Sequence, residues 1–414
     1  MSRPTTGGKP PRIVVFSEVF YPEETSTGHL ITRIAEGLAE KFQVSAVVCQ
    51  PTYSLRGIIA PRHEVRHGVT IRRVWSSRFN KDLMAGRLAN AFTATFTMMA
   101  YAIRHLRRGD AVLVVTNPPV LPFAIAAAVR LRGSRMVLVV HDLYPDLLLA
   151  ARVVPKTSPV VGLLRWASQW LYRTSATIVV VGRDMKSLVE GRLGGRPTPV
   201  IFIPNFADVE LVRPTSRKTN PILESIGATD RFVVQCVGNM GRLQGLETIL
   251  EAAELLRHRG SIHFLFVGWG ARRDWLEGRI EALDLRNVTL LPPRPRSESG
   301  DLHNACDLAL ISLIPGMTGV SVPSRVYNSL AAGKPILAVA GESSELAMVV
   351  REEAVGWVTP PGDATKLAEA ILLAESCRGE LPAMGERARA SAEARYSPAA
   401  VGGQFVSLFE GVLQ

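Results

Sequence analysis

The chain has 414 residues, 47% of them hydrophobic and 21% charged, which excludes both a single ordinary core and a disordered protein. Its 48 Lys and Arg residues against 37 Asp and Glu give a net charge of +11, which suits phosphate-bearing small molecules or an anionic membrane surface. The sequence contains no basic run interleaved with aromatic residues and no zinc-finger or RNA-recognition signature, so nucleic acid is not an expected partner.

The N-terminus and the cysteines favour a cytoplasmic protein. Residues 1–11 are polar and basic, and the apolar stretch after them contains Glu18 and lacks a small-residue cleavage site, so we expect a disordered lead and no signal peptide. No window reaches the ~20 apolar residues of a spanning helix. Four cysteines lack metal-type spacing and are expected to be reduced: Cys49, Cys236, Cys306 and Cys377.

Short apolar runs alternate with helical stretches over residues 12–205, which predicts an α/β domain with a parallel sheet. The predicted strands are Ile13–Ser17, Val44–Val48, Thr70–Val74, Val112–Thr116, Met136–His141 and Ile178–Val181. The predicted helices are Leu30–Lys41, Leu83–Leu106, Pro122–Leu131 and Val160–Thr174.

The loop between the first strand and the first helix, Tyr21–His29, is a candidate contact for a substrate. We expect Thr27 and Gly28 to present backbone N–H groups there, and Glu23 and Glu24 to be solvated. This loop is predicted to face a substrate.

The helix predicted at Leu83–Leu106 is rich in Met, Phe and Ala and is followed by clustered arginines. An apolar face beside basic residues is typical of a helix that lies on a membrane surface. Helices of this composition also pack on their own sheet, and both interpretations remain open.

The strand predicted at Met136–His141 is followed by Asp142, and an open α/β sheet carries its chemistry at the carboxyl ends of its strands. We therefore predict that His141 and Asp142 are catalytic. Asp142 is expected to orient His141, which would donate a hydrogen bond to a bound substrate or to its leaving group. A purely structural His-Asp pair is the alternative.

Near Pro204 the alternation pauses in a polar, Pro-containing segment, and a second α/β series then covers residues 206–397. The predicted strands are Phe232–Val237, His263–Val267, Val288–Leu291, Leu308–Ile311, Ile336–Val339 and Gly356–Val358. The predicted helices are Gly245–Arg259, Trp269–Leu283, Ser297–Ala305, Pro323–Ala332 and Asp363–Ser376. A last helix, within 398–414, is predicted to pack back on the first domain, and the two sheets are expected to face one cleft.

The first candidate phosphate-binding element is the turn after strand Phe232–Val237. It contains Gly238, Gly241 and Gly245 and leads into a helix. Glycines let a backbone approach a ligand closely, and a helix N-terminus offers unpaired N–H groups. Arg242 adds a full positive charge. We interpret this turn as a diphosphate site, the alternative being an ordinary tight strand-to-helix turn.

A second candidate element is the loop of small residues that leads into the helix predicted at Pro323–Ala332. We expect Ser321, Ser324, Arg325 and Asn328 to lie in its first turns and to contact phosphate and ribose hydroxyls. An ordinary capped helix is the alternative. No pair of acidic residues follows a strand as in metal-dependent sugar transferases, so we predict no metal and no cofactor, with the diphosphate charge met by Arg and helix N-termini.

At these residues the sequence resembles glycosyltransferase family four, and within it the bacterial enzymes that build capsule, colanic acid and O-antigen, including the fucosamine-transferase-like branch. The motifs that carry the resemblance extend over nearly the whole chain: VFSEVFYPEETSTGHL, TNPPVLPFAIA, VVHDLYPD, IPNFAD, GNMGRLQGLETILEAAELL, FVGWG, LLPPRP, SVPSRVYNSLAAGKPILA and GWVTPPGD.

The resemblance implies the GT-B fold, in which two Rossmann-like, doubly wound domains face a cleft. It implies retaining transfer from a UDP- or GDP-sugar, for which we expect the UDP-N-acetylhexosamine type, to a polyprenyl-diphosphate-linked saccharide at the inner face of the cell membrane. Thr27 and Gly28 would lie on the acceptor side. Acceptor and donor would bind the N-terminal and C-terminal domains respectively. The residues implied for the diphosphate are Gly238, Asn239, Arg242 and Gln244, with Ser321, Ser324, Arg325 and Asn328 for phosphate and ribose. Those implied along the base are Leu291, Pro293 and Arg294.

The chain departs from the family pattern at two places. The usual pair of glutamates on the helix entering the site is replaced by Asn328 and by Val320 or Thr318, and the usual phosphate-binding lysine by Gln244. These changes leave a non-catalytic relative open as an alternative. A sugar-nucleotide 2-epimerase of the same architecture is another, although no carboxylate cluster for proton abstraction is evident. An NAD-linked oxidoreductase is excluded because the first strand lacks the glycine fingerprint.

Overall fold

The computed structural model describes residues 11–52, 57–80 and 83–414. The predicted disordered lead, 1–11, lies outside this range except for its last residue. Two sheets account for the strands of the described residues, and helices cover their faces.

The first sheet has eight strands in the order β3-β4-β2-β1-β5-β6-β7-β8. Its strands are β1 Arg12–Ser17, β2 Gln43–Val48, β3 His63–Arg66, β4 Val69–Arg73, β5 Ala111–Val115, β6 Arg135–Val140, β7 Thr177–Val180 and β8 Val200–Phe202. All pairs are parallel except the hairpin of β3 with β4. The central strands are buried on both faces, which is why their sequences read as unbroken apolar runs.

The described residues of the first half form the helices α1 Ser26–Ala39, α2 Met84–His105, α3 Leu121–Arg132, α4 Asp146–Ala150, α5 Pro159–Thr174 and α6 Arg183–Leu193, of which the short α4 packs Leu147 and Ala150 against the core of the second half. Sequence patterning missed β3, β8, α4 and α6. The two strands are short and lie at the sheet edges, and α4 has five residues, too few to show a helical period. Helix α6 is largely polar, and only three of its residues are buried, so its apolar pattern is weak.

The second sheet is fully parallel, in the order β11-β10-β9-β12-β13-β14. Its strands are β9 Phe232–Asn239, β10 Ile262–Trp269, β11 Val288–Leu291, β12 Leu308–Ser312, β13 Ile336–Val339 and β14 Gly356–Thr359. The remaining helices are α7 Pro221–Ser225, α8 Leu246–Leu255, α9 Arg273–Ala282, α10 Ser299–Asn304, α11 Arg325–Ala331, α12 Glu345–Glu352, α13 Ala364–Ser376, α14 Leu381–Arg395 and α15 Pro398–Leu413.

The chain passes between the two halves twice. Phe206 packs in the core of the first sheet and Ala207 in that of the second. After α14, helix α15 returns and buries Phe405 and Phe409 against α1 and the first sheet. The two crossing segments touch, because the Ala207 amide donates to the Tyr396 carbonyl at 3.0 Å.

Helix α2 has two different faces. Ala94, Met98 and Ala102 are buried against the first sheet, whereas Phe92 and Phe96 are 60% and 67% exposed. Both expected roles of this helix, packing on the sheet and presenting an apolar surface, are therefore compatible with the same element. None of the helices in the described ranges has the length and hydropathy needed to cross a bilayer.

Candidate functional site

The two halves meet where the first sheet ends at β6 and where the loop before α11 begins. Asp142 and Ser321 pair as an isolated antiparallel bridge, and the Leu143 amide donates to the Val320 carbonyl at 2.9 Å. The carboxyl edge of the first sheet and the small-residue loop of the second half are therefore in direct contact.

A second contact joins the same loop to the start of α1. The hydroxyl oxygens of Ser26 and Ser324 lie 2.9 Å apart. Ser321 was expected in the first turns of a helix, but α11 begins only at Arg325, and Ser321 lies in extended backbone before it. That expectation was wrong because the Ser321 backbone is engaged by the Asp142 segment.

The turn after β9 has the conformation that its glycines allow. Gly238 has φ of +111° and Gly245 has φ of +55°, both in the region that favours glycine. The Gly241 amide donates to Gln244 Oε1 at 3.0 Å, so the Gln244 carbonyl braces the turn from inside. Asn239 and Arg242 are exposed on it. The amide nitrogen of Gln244 has no such partner within the turn and can donate to a ligand.

Arg325 connects the two predicted donor-binding elements. Its Nη1 donates to the carbonyl oxygen of Val237, the residue before Gly238, at 3.0 Å. Arg325 stands at the first position of α11, and Asn328 follows one turn later. The small-residue loop and the glycine turn thus converge at the carboxyl end of β9.

His141 lies directly after β6, with its amide donating to Thr116 Oγ1 at 3.2 Å. The residue retains some exposed surface, but its Nε2 is buried and has no hydrogen-bond partner among the described residues. Burial lowers the pKa of His141 to about 4, so the imidazole is neutral at pH 7. A neutral ring with an unsatisfied nitrogen suits contact with a polar ligand.

Asp142 differs from its predicted role. Burial raises the pKa of its carboxyl group, and a side-chain hydrogen bond to Ser321 acts in the opposite direction. The carboxyl group thus contacts Ser321, and not the imidazole that it was expected to orient.

Glu18 is a residue of this site that sequence reasoning missed. It follows β1, is 7% exposed, and lines a cavity of about 610 Å³ together with Thr116 and Asp142. Strands β1, β5 and β6 are neighbours, so their carboxyl ends bring these three residues to one edge. The available signal was an acidic residue immediately after a buried strand.

The predicted acceptor loop has a different internal arrangement. Thr25 caps α1, and the Gly28 amide donates to its Oγ1 at 3.2 Å. The N–H group of Gly28 that was expected to face a substrate is therefore used in the cap, while Thr27 lies in the first helical turn. Glu23 is 5% exposed and accepts from the Thr52 amide, so the expectation of a solvated Glu23 was wrong.

The residues expected beside the nucleotide base lie at the edge of the second sheet. Leu291 ends β11, Pro293 is exposed, and Arg294 pairs with Glu298 at 3.6 Å. A few residues later, Arg296 Nη2 lies 2.9 Å from His29 Nε2, across the gap between the halves. Burial, followed by the charge of Arg296, lowers the pKa of His29 to about 4.

Asp184 fastens the halves on the other side of the small-residue loop. Its Oδ2 accepts from the amides of Gly319 and Glu345, at 2.7 and 3.1 Å. The neighbouring Arg183 pairs with Glu345 at 3.0 Å and with Glu352 at 2.8 Å. One side chain of the first half thus fixes both the loop and the N-terminus of α12.

A metal centre has no counterpart in the part of the chain that the structure describes, where no three His, Cys, Asp or Glu side chains are grouped to hold an ion. Positive charge near the two turns comes from Arg242 and Arg325. Catalysis without a metal stays a prediction.

Two family models match the chain. The model described as "Glycosyl transferase 4-like domain" matches residues 27–205, and the one described as "Glycosyl transferases group 1" matches residues 221–391. The chain is 33% identical over 387 residues to the probable glycosyltransferase WbjE of Pseudomonas aeruginosa, covering 93% of this chain and 94% of that protein.

Two further comparisons extend this result. The chain is 23% identical over 353 residues to the putative colanic acid biosynthesis glycosyl transferase WcaI of Escherichia coli K12, covering 81% of this chain and 84% of that one. The structure of HepE from Anabaena in complex with UDP-glucose matches with a TM-score of 0.72 and 17% identity, over 97% of this chain and 99% of that one. The two parallel-sheet domains have the GT-B glycosyltransferase fold, as expected from the sequence.

Proposed function

This chain belongs to the group 1 glycosyltransferases with a family-four-like N-terminal half, and we propose that it transfers a sugar from a nucleotide sugar to an acceptor in bacterial polysaccharide biosynthesis. The observation that carries the proposal is the bond from Arg325 to the Val237 carbonyl, which brings both predicted donor turns to one point. The same loop contacts Asp142 through Ser321. The naming of the WcaI relative for colanic acid biosynthesis supports the pathway class.

The donor site is proposed at the carboxyl end of β9. Exposed Arg242 and the glycine turn would meet the diphosphate, with Ser324 and Arg325 on its other side and Asn328 toward the ribose. A charged donor to a phosphate oxygen is worth about 1.5–3 kcal/mol, and we propose that two such arginines take the place of a metal ion at the diphosphate. The UDP-glucose bound by HepE supports a uridine nucleotide, and an N-acetylhexosamine is our proposal for the sugar.

The reaction is proposed to retain the anomeric configuration. In that chemistry the leaving diphosphate accepts the proton of the acceptor hydroxyl, and no enzyme nucleophile is required. Neutral His141, with its unpaired Nε2, would bond a sugar hydroxyl or the leaving oxygen. Proton NMR of the product, made from a donor of known anomer, tests this directly, and an inverted product would refute it.

The acceptor is proposed to be a polyprenyl-diphosphate-linked saccharide presented at a membrane surface. Helix α2 exposes Leu88, Phe92 and Phe96 at a four-residue spacing and ends in basic residues. Such a face suits an anionic bilayer surface. We expect the protein to sediment with anionic liposomes at low salt and to be released at high salt; failure to sediment at low salt would remove the membrane from the proposal.

A thermal-shift screen with UDP-, GDP-, ADP- and dTDP-sugars tests the donor class. We expect one base to stabilise the protein above the others, because the loop after β11 lies along one edge of the site. Release of the nucleotide only when an acceptor is supplied would separate a transferase from an epimerase. Stabilisation by none of the four would refute the proposed function.

A further inference from the structure

The cavity of about 610 Å³ beside Asp142 is larger than a saccharide hydroxyl requires and differs in chemistry from end to end. Its inner end is polar, where Glu18, Thr116, Asn117 and Asp142 stand at the carboxyl ends of three adjacent strands. Reaction chemistry in this fold is expected at that edge. The cavity therefore begins where the acceptor hydroxyl must be presented.

The remaining wall is largely apolar. Helix α2 contributes Leu88, Ala91 and Phe92, and α5 contributes Leu164 and Leu171 from the opposite side. Side chains of α3 and α4 complete the wall. A saccharide needs hydrogen-bond partners along its length, and burying its hydroxyl groups against this wall would leave them unsatisfied. The wall suits a hydrocarbon.

The cavity also reaches the protein surface through apolar side chains. Leu88 and Phe92 line it and are themselves 52% and 60% exposed. On α5, Leu163 and Trp166 are 63% and 65% exposed beside the cavity-lining Leu164. On α2 the same two side chains belong to the cavity wall and to the exposed surface, so the apolar wall reaches the surface there.

One cationic side chain is among those that line the cavity. Arg87 lines the cavity next to Leu88, and an arginine is well suited to bind a phosphate group. The lining thus combines carboxylates and hydroxyls, a guanidinium and hydrocarbon. The sugar, the phosphate and the hydrocarbon chain of a lipid-linked saccharide match these three kinds of lining group in chemistry.

We propose that this cavity, between α2 and α5, binds the first part of the hydrocarbon chain of a lipid-linked acceptor. The inference rests on the proposed function and adds a binding site to it. A cavity of 150 Å³ holds one benzene molecule, so this one has room for roughly 20–25 carbon atoms. The chain is held inside the protein, and its continuation leaves beside Leu88 and Phe92, which line the cavity and are exposed.

Binding of short isoprenoid diphosphates to the intact protein, measured by calorimetry without detergent or lipid, tests the proposal. We expect the 15-carbon farnesyl diphosphate to bind at least 10-fold more tightly than the 5-carbon isopentenyl diphosphate, because only the longer chain covers the apolar wall. Equal affinities for the two probes would overturn the proposal.

A matched pair of variants separates the cavity from the exposed surface. Phe92 and Phe96 lie one turn apart on α2 with similar exposure, and only Phe92 lines the cavity. We expect Phe92→Ala to weaken farnesyl diphosphate at least 5-fold and Phe96→Ala to change it less than 2-fold. Equal losses would assign the binding to the surface and overturn the proposal.

A filled cavity provides the complementary test. Ala91→Trp places a large side chain on the α2 wall, and we expect it to abolish the preference for the longer chain while circular dichroism and UDP affinity remain those of the wild type. A retained preference would overturn the proposal. If UDP binds but chain length has no effect, only this inference fails; if no nucleotide binds, the proposed function fails.

Discussion

Replacement of Arg242 by alanine tests the donor site most directly. Arg242 is exposed on the glycine turn, whereas Arg325 is already held by the Val237 carbonyl at 3.0 Å. A charge-assisted bond contributes about 1.5–3 kcal/mol, and ordering a free arginine side chain costs up to about 2 kcal/mol. We therefore expect Arg242→Ala to weaken nucleotide binding by about 1.5 kcal/mol, or about 10-fold in Kd. Arg325→Ala should weaken it by about 3 kcal/mol, or about 150-fold.

Calorimetric titration with UDP and GDP measures both effects. Arg286→Ala is a suitable control, because it removes the same charge from a side chain that is 88% exposed and paired with Asp284. We expect the control to bind the nucleotide as the wild type does. Unchanged affinity in Arg242→Ala for both nucleotides, or an equal loss in Arg286→Ala, would refute the assignment of Arg242 to the diphosphate.

Three other perturbations have defined outcomes. His141→Ala is expected to lower kcat at least 100-fold and to change donor Kd less than 2-fold, and equal turnover in steady-state assays would remove His141 from the mechanism. Asp184→Ala removes the acceptor shared by Gly319 and Glu345, so urea unfolding should show a loss of about 2 kcal/mol; an unchanged midpoint would contradict this. His29 and His141 have pKa values of about 4 against 6.5 when unfolded, so the unfolded chain binds protons first as pH falls. Stability is therefore expected to fall between pH 6.5 and 4, by about 2 kcal/mol for each group at pH 5, and equal urea midpoints at pH 7.5 and 5 would argue against it.

The architecture was predictable because buried parallel strands read as uninterrupted apolar runs. In β6, for example, five consecutive residues are buried, and such an apolar run is typical of a central strand in a parallel sheet. The short edge strand β3 alternates between partly and fully exposed residues, so its sequence carries no such signal. The antiparallel β3–β4 hairpin was therefore missed, although β4 itself was predicted within one residue.

The site was predictable to the level of its turns and not of its partners. Glycines in the turn after β9 indicate a backbone conformation that other residues avoid. Gly238 and Gly245 do have the positive φ that only glycine adopts readily. The bond between Asp142 and Ser321 joins residues 179 positions apart, and no local pattern specifies it. Glu18 was overlooked because a single acidic residue after a strand has many structural explanations.

The chain passes between its two halves at Ala207 and again beside Tyr396, and these neighbouring crossings restrict the relative motion of the halves. A single crossing would allow the two halves to rotate about any direction. Here two crossings lie side by side, bonded to each other at 3.0 Å, and together they define one rotation axis. We therefore expect the two halves to move relative to each other mainly by rotation about this axis. Such a rotation would open the cleft on the side away from Ala207 and Tyr396, and we expect a nucleotide sugar to enter and leave there.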